Sequence, residues 1–214
     1  AKRLFDLPSE RLYWLPNAVD VDAYRQQTDK TFGRCVGYIG RLVSWKGIDT
    51  FIRVAELVWK MNCKTRFIVV GGGPLLQVYR DSSVSEYVEF LGEQSSKAVL
   101  RILDSIDILV LPSYHENVPT VALEAMAKGI PVVASDVGAV SEVVIHENNG
   151  YLVRAGDTKS FAEYVRYLLE NPSIRDKLGE NGRTLVNEYY TFHKVAERAE
   201  NLYREILGRN EQLF

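Results

Sequence analysis

Short apolar runs alternate with stretches of helical periodicity through the first two thirds of the chain. Residues 35–40 (Cys-Val-Gly-Tyr-Ile-Gly) form the first run, and residues 48–62 then place Ile48, Phe51, Ile52, Ala55, Val58 and Trp59 on one helical face. Further runs lie at 65–70, 88–91, 107–111, 131–134 and 150–153. Between them come a short helical stretch after Gly71-Gly72-Gly73-Pro74, a helix over 97–105, one opening at Pro119, and a short one over 140–145. Brief runs that do not alternate in polarity, spaced by helices, are the pattern of strands buried on both faces of a parallel sheet. Six such units in series predict an α/β fold, a doubly wound, Rossmann-like parallel six-stranded sheet. The last third predicts helices over 158–170, 173–186 and 192–207, broken at Asn171-Pro172 and over 189–191. The final one carries an apolar stripe of Phe192, Val195, Ala196, Ala199, Leu202, Tyr203 and Ile206, which needs a partner either on this sheet or outside it.

Composition narrows the frame. The chain has 214 residues, 46% hydrophobic and 25% charged, enough apolar material for one large core. A net charge of −2 gives no bulk electrostatic reason to expect nucleic acid or an anionic membrane as partner. No apolar run is long enough for a transmembrane helix. Cys35 and Cys63 show neither metal spacing nor a redox pair, which suits a reducing compartment.

The chemistry concentrates at two strand ends. The run at 107–111 stops at Pro112-Ser113, and Glu116 and Glu124 follow on either side of a strand-to-helix junction. Proline fits the first turn of a helix, so Pro119 is expected at the first helical position, with the amides of Thr120 and Val121 pointing out of the helix end toward an anion. Both carboxylates then face the crevice at the carboxyl edge of the sheet, where open α/β folds bind ligands. The first strand ends in Gly40-Arg41-Leu42-Val43-Ser44-Trp45-Lys46-Gly47 at the same edge. Arginine supplies a rigid fork and lysine a mobile point charge, a complementary pair for adjacent phosphates. Glycines at 40 and 47 allow close approach and a sharp turn. The run Gly71-Gly72-Gly73-Pro74 follows the second strand and lacks the third glycine of a nicotinamide fingerprint, so it predicts only a close-approach loop. No Walker lysine motif and no Gly-x-Ser-x-Gly elbow is present. His115 reads as a polar neighbour of Glu116.

Several of these motifs occur together in order. Gly40-Arg41 with Lys46-Gly47, Phe90-Leu91-Gly92, Pro112-Ser113, the Glu-x7-Glu element with Leu123-Glu124-Ala125-Met126-Ala127, Gly129-Ile130-Pro131-Val132-Val133-Ala134 and Asn149-Gly150 closely resemble the C-terminal domain of group 1, family 4 glycosyltransferases of the GT-B fold. Asn17-Ala18-Val19-Asp20 looks like the element that enters that domain. The resemblance implies three parts: a lead-in from a missing N-terminal domain (1–20), the donor-binding domain (21–190), and a C-terminal helix crossing back to the missing domain (191–214). It implies retaining transfer of a hexosyl group from a nucleoside diphosphate sugar to a glycan or glycolipid acceptor. Arg41 and Lys46 would bind the diphosphate beside Gly40 and the amides of Thr120 and Val121. Glu124 would accept the ribose hydroxyls and Glu116 would face the sugar, so that Glu116, Arg41 and Lys46 form the catalytic set. Backbone at Asn117 and Val118 would touch the sugar and backbone at Glu93 and Gln94 the base. No metal or other cofactor is expected, and the full-length protein is expected in the cytoplasm, peripheral to the membrane. The 214-residue chain alone is expected to be nearly inactive. The other classes weighed are a non-catalytic nucleotide-sugar binding relative and a different GT-B-like enzyme, an epimerase or a phosphorylase. Asn117-Val118 and Gly138-Ala139 depart from the family's usual residues.

Overall fold

The computed structural model describes residues 13–24, 34–61 and 64–211; Cys63 lies outside them. A four-residue helix α1 (Val21–Tyr24) precedes β1 (Cys35–Ile39), α2 (Ile48–Met61), β2 (Arg66–Val70), α3 (Leu76–Arg80) and β3 (Val88–Gly92). There follow α4 (Ser96–Leu103), β4 (Ile108–Leu111), α5 (Thr120–Ala127), β5 (Val132–Ser135) and β6 (Gly150–Val153), then α6 (Thr158–Glu170), α7 (Pro172–Tyr189) and α8 (Phe192–Glu211). The six strands form one sheet in the order β3-β2-β1-β4-β5-β6, every pair parallel.

That order fixes where a ligand belongs. The chain winds outward from β1 to β3, then returns to lay β4 against the other side of β1. The loops after β1 and β4 therefore diverge to opposite faces and leave a crevice between them, the topological switch point of a doubly wound sheet.

Alternation along the strands loads both faces. Val36, Tyr38, Phe67, Val69, Ile108, Val110 and Val133 point to α2 and α6, where Phe51, Val54, Phe161 and Val165 are buried. Cys35, Ile68, Leu109, Leu111, Val132 and Ala134 point to α4 and α5, against Leu103, Leu123 and Met126. Neither face is left to water, which is why the strands read as continuous apolar runs rather than polar-apolar alternation. Packing of α7 on α5 is close because Gly179 lies against the Gly129 carbonyl.

The final helix is different. None of its described side chains is buried, and Phe192, Tyr203 and Leu207 are 62%, 64% and 64% exposed. The stripe therefore has no partner on the sheet. The helix does meet the lead-in segment, where the Trp14 ring lies 4.7 Å under the Arg198 guanidinium. Among the described residues no helix is long and apolar enough to cross a membrane.

Candidate donor-binding site

The loop leaving β1 is held by backbone contacts before any side chain acts. Leu42 donates its amide to Gly72 O at 2.9 Å, and a 3₁₀ turn over Ser44–Lys46 ends in Gly47 with φ of 70°. A side chain at position 47 would strike the Pro112 carbonyl, so glycine both closes the turn and lets the β1 and β4 loops touch. The amide of Tyr114 completes the contact by donating to Trp45 O at 2.8 Å. These bonds set Lys46 opposite Glu116.

Lys46 Nζ stands 2.5 Å from Glu116 Oε1, with side-chain exposures of 30% and 12%. The Ser113 hydroxyl donates to the same oxygen at 3.0 Å. Behind Glu116, Gly138 adopts φ of 57° directly against the Glu116 carbonyl; a Cβ there would sit 1.8 Å from that oxygen. The loop around Glu116 is thus clamped from two sides.

Pro119 is placed one position earlier than the sequence suggests. Its backbone is extended (φ −73°, ψ 112°) and its carbonyl accepts the amide of Ala122 at 3.0 Å, so it caps α5 rather than opening it. The physical reason is local: a residue whose carbonyl already takes the first helical bond while ψ remains extended is a cap. Thr120 and Val121 then become the first two residues of the helix, and their amides still precede the first helical bond.

A crevice of about 440 Å³ opens at the switch point, lined among others by Gly40, Arg41, Lys46, Glu116, Thr120 and Glu124. Val118, Val121 and Tyr38 also line it. A second cavity of about 410 Å³ adjoins it through Lys46 and Glu116, walled by Trp45, His115, Asn117 and Gly138. Two cations, two carboxylates and a helix amino end therefore converge on one space. Glu93 and Gln94 do not line either cavity; Glu93 lies beside Gly72, and the Gln94 side chain turns back to donate to Leu91 O at 2.7 Å.

Burial tunes the acids here. Desolvation pushes the Glu124 carboxyl above its ordinary range, partly offset by a hydrogen bond from the Tyr24 hydroxyl. Burial, and then the Glu124 charge, push the Tyr24 phenol up. The Tyr38 phenol is pushed up by burial first and by Glu116 and Asp49 second, so it stays a donor, to Arg41 O at 2.9 Å.

Three contributors had no role in the site assigned from the sequence. Ser113 sits at the carboxyl end of a predicted strand, a position from which the switch-point rule could have raised it. Asn17 donates its side-chain amide to Val118 O at 3.1 Å and to Thr120 Oγ1 at 3.4 Å, and Tyr24 reaches Glu124. Both act across about a hundred residues of sequence, and although Asn17 opens a recognisable motif, no local pattern signals that reach.

A six-stranded parallel sheet with this crevice at its switch point is a doubly wound, Rossmann-like α/β ligand-binding domain. The chain belongs to the group 1 glycosyl transferases, whose profile matches residues 20–185. An uncharacterised glycosyltransferase of Methanocaldococcus jannaschii is 32% identical over 179 residues, covering 80% of this chain and 46% of that protein. TarM of S. aureus, solved in complex with fondaparinux, α-GlcNAc-glycerol and UDP, superposes with a TM-score of 0.79 at 25% identity over 94% of this chain and 41% of that one. The C-terminal domain of a group 1 glycosyl transferase, LpcC of Francisella tularensis, superposes with a TM-score of 0.71 at 26% identity, covering 81% of this chain and 99% of that domain. The chain spans about half the length of the curated relatives it matches.

Proposed function

We propose that this chain is the donor-binding half of a retaining glycosyltransferase, of family 4 within its group, which transfers a hexosyl group from a nucleoside diphosphate sugar to a glycan or glycolipid. The observation that carries the reading is the convergence of Arg41, Lys46, Glu116, Glu124 and the amino end of α5 on one crevice. A nucleoside diphosphate fits that set group by group. The diphosphate takes Arg41, Lys46 and the amides of Thr120 and Val121; the ribose hydroxyls donate to Glu124. The sugar lies in the adjoining cavity against Glu116 and the backbone of Asn117, with the backbone of Val118 touching it from the crevice side. The presence of UDP in the TarM complex supports this class of donor. Base contacts come from backbone at Glu93 and Gln94, which the bound nucleotide would have to reach beyond the crevice lining.

Chemistry follows from where charge develops. As the bond from the anomeric carbon to phosphate oxygen breaks, negative charge grows on the leaving diphosphate and positive charge on the sugar. Arg41 and Lys46 are placed to meet the first and Glu116 the second, with the acceptor hydroxyl attacking the face the diphosphate leaves and its proton passing to the departing phosphate oxygen. Two fixed cations supply the charge that a metal would otherwise bring, so no metal is required. The acceptor belongs to a preceding domain, in a protein that works in the cytoplasm at the membrane periphery. Holding both substrates together is worth several kcal/mol of barrier, on the order of 7–11 kcal/mol, so the chain alone binds donor but transfers almost nothing.

Calorimetric titration with UDP, GDP and ADP in the absence of metal tests the site. Saturable binding of one of them, weakened about tenfold or more in Arg41→Ala and in Glu124→Ala, is expected from loss of a charge-assisted hydrogen bond. Binding that ignores both substitutions would refute the assignment.

A further inference from the structure

The cavity beside the crevice has one large apolar wall. Trp45 lines it together with Lys46, His115, Glu116, Asn117 and Gly138, and is 49% exposed. A lone exposed aromatic residue on an ordinary surface needs no explanation. This one is fixed in place by its main chain. It sits in the middle of the 3₁₀ turn Ser44–Lys46, where the Lys46 amide donates to Val43 O at 3.1 Å and the Gly47 amide to Ser44 O at 3.0 Å. Its own carbonyl accepts the Tyr114 amide at 2.8 Å, the bond that joins the β1 loop to the β4 loop. With that carbonyl committed, what Trp45 exposes is chiefly its indole. The residue also precedes Lys46, whose ammonium pairs with Glu116 at 2.5 Å, so it stands next to the point where the two cavities meet.

Building on the donor-site reading above, we infer that Trp45 is a specificity-determining residue, its indole the stacking platform for a hexopyranose ring in this cavity. A pyranose has two chemically different surfaces, a rim of hydroxyls and ring faces on which clustered C–H groups make an apolar patch. The cavity offers a counterpart to each. The C–H patch lies on the electron-rich face of the indole, a large flat area that loses little side-chain freedom when it is covered. The hydroxyl rim meets the Glu116 carboxylate and Asn117, groups that an apolar ligand would leave unpaired. An aromatic surface with a few placed polar groups is the lining that orients a small molecule. A hydroxyl projecting from the stacked face interrupts the C–H patch, so the platform discriminates between hexose epimers, a choice that Arg41 and Lys46 cannot make through the diphosphate. The ring comes either from the transferred hexose of the donor or from the terminal unit of the acceptor, since both present the same chemistry.

The test uses the whole 214-residue chain as wild type, Trp45→Phe, Trp45→Ala and Arg41→Ala, with equal melting temperatures confirming that each variant keeps the fold. Each is titrated with whichever of UDP, GDP and ADP binds, with the glucose and galactose conjugates of that nucleotide, and, at saturating free diphosphate, with methyl glucoside and methyl galactoside. Trp45→Ala is expected to weaken the tighter conjugate about tenfold and to narrow its preference over the other, while the free diphosphate stays within about twofold. Trp45→Phe keeps a ring and recovers most of the loss. Tryptophan emission gives a second readout: the conjugate perturbs it beyond the effect of free diphosphate in wild type and not in Trp45→Phe. The same loss confined to the methyl glycosides would assign the platform to the acceptor's sugar rather than the donor's. Equal weakening of conjugate and free diphosphate would reduce Trp45 to a support for the turn that carries Lys46, and no weakening of any sugar ligand would show that nothing stacks on it; either overturns the inference. Failure of the donor-site reading looks different: wild type would bind no free diphosphate, or Arg41→Ala would leave its binding unchanged.

Discussion

Replacing Lys46 by methionine isolates the ion pair at the centre of the crevice. The substitution keeps most of the side-chain volume and removes the charge, leaving the Glu116 carboxylate, 12% exposed, with the Ser113 hydroxyl as its remaining side-chain donor. Stranding one partner of a fully buried pair costs about 3–5 kcal/mol, whereas an exposed pair contributes about 0–1. Lys46 is 30% exposed, so solvent screens part of the interaction, and a loss of about 2 kcal/mol is expected. For a chain of this length that corresponds to a melting temperature lower by roughly 4–8 °C. Glu116→Gln costs less, about 1 kcal/mol or below, because the lysine can swing into water and the amide oxygen can still accept from Ser113. The double variant Lys46→Met/Glu116→Gln is expected to recover about 1 kcal/mol relative to Lys46→Met alone, since no charge is then stranded. Thermal melts by circular dichroism at pH 7 measure all three. A Lys46→Met melt within about 1 °C of wild type, or a double variant no more stable than Lys46→Met, would refute the reasoning. The same pair makes a binding prediction: a diphosphate must draw Lys46 away from Glu116, so Glu116→Gln should bind the free nucleoside diphosphate at least as tightly as wild type.

Three further outcomes follow from packing. Gly138→Ala should lower stability by at least about 2 kcal/mol, because left-handed backbone disfavours a Cβ and this one meets the Glu116 carbonyl; a melt unchanged from wild type would show that the loop yields freely. Burial pushes the Cys35 thiol up to about 11, so iodoacetamide at pH 8 should leave Cys35 unlabelled in the native chain and label it after denaturation, as read by peptide mass. The linked stability is fully present below the ordinary thiol pKa and is lost as pH rises toward 11, because only the unfolded chain then releases the proton. Chymotrypsin should cut first around Tyr189, Phe192 and Tyr203, which are 56%, 62% and 64% exposed, and initial cleavage within the sheet would contradict the unpartnered state of α8.

What the sequence disclosed depended on the range of the interaction. The strands were legible because burial on both faces leaves runs such as Ile108–Leu111 with no polar interruption, and α6 runs over 158–170 as expected, capped by Asp157 through Ser160. The crevice was legible too, since Arg41, Lys46, Glu116 and Glu124 all follow strand ends and the switch-point rule gathers them. Pro119 was misplaced by one residue because proline is accepted both as a cap and just inside a helix, and only ψ tells the two apart. The stripe on α8 was visible, but a helical period does not say what covers it. The roles of Asn17 and Tyr24 were invisible for a related reason: each becomes part of the site only when distant chain folds back over α5. Gly71 and Gly73 show the converse, since their purpose emerges as room for the Gly40 and Leu42 carbonyls rather than for a ligand.

The bridge between Val19 and Thr191 brings the beginning and the end of the folded unit side by side. The four charged residues that line the crevice all lie between those two positions, so the two ends of the unit leave it at one place. Such a unit can be set into another chain with both junctions made at one spot, provided Asn17, bonded to Val118 and Thr120 at the crevice, is carried along. The crevice could thereby be exchanged as a cassette.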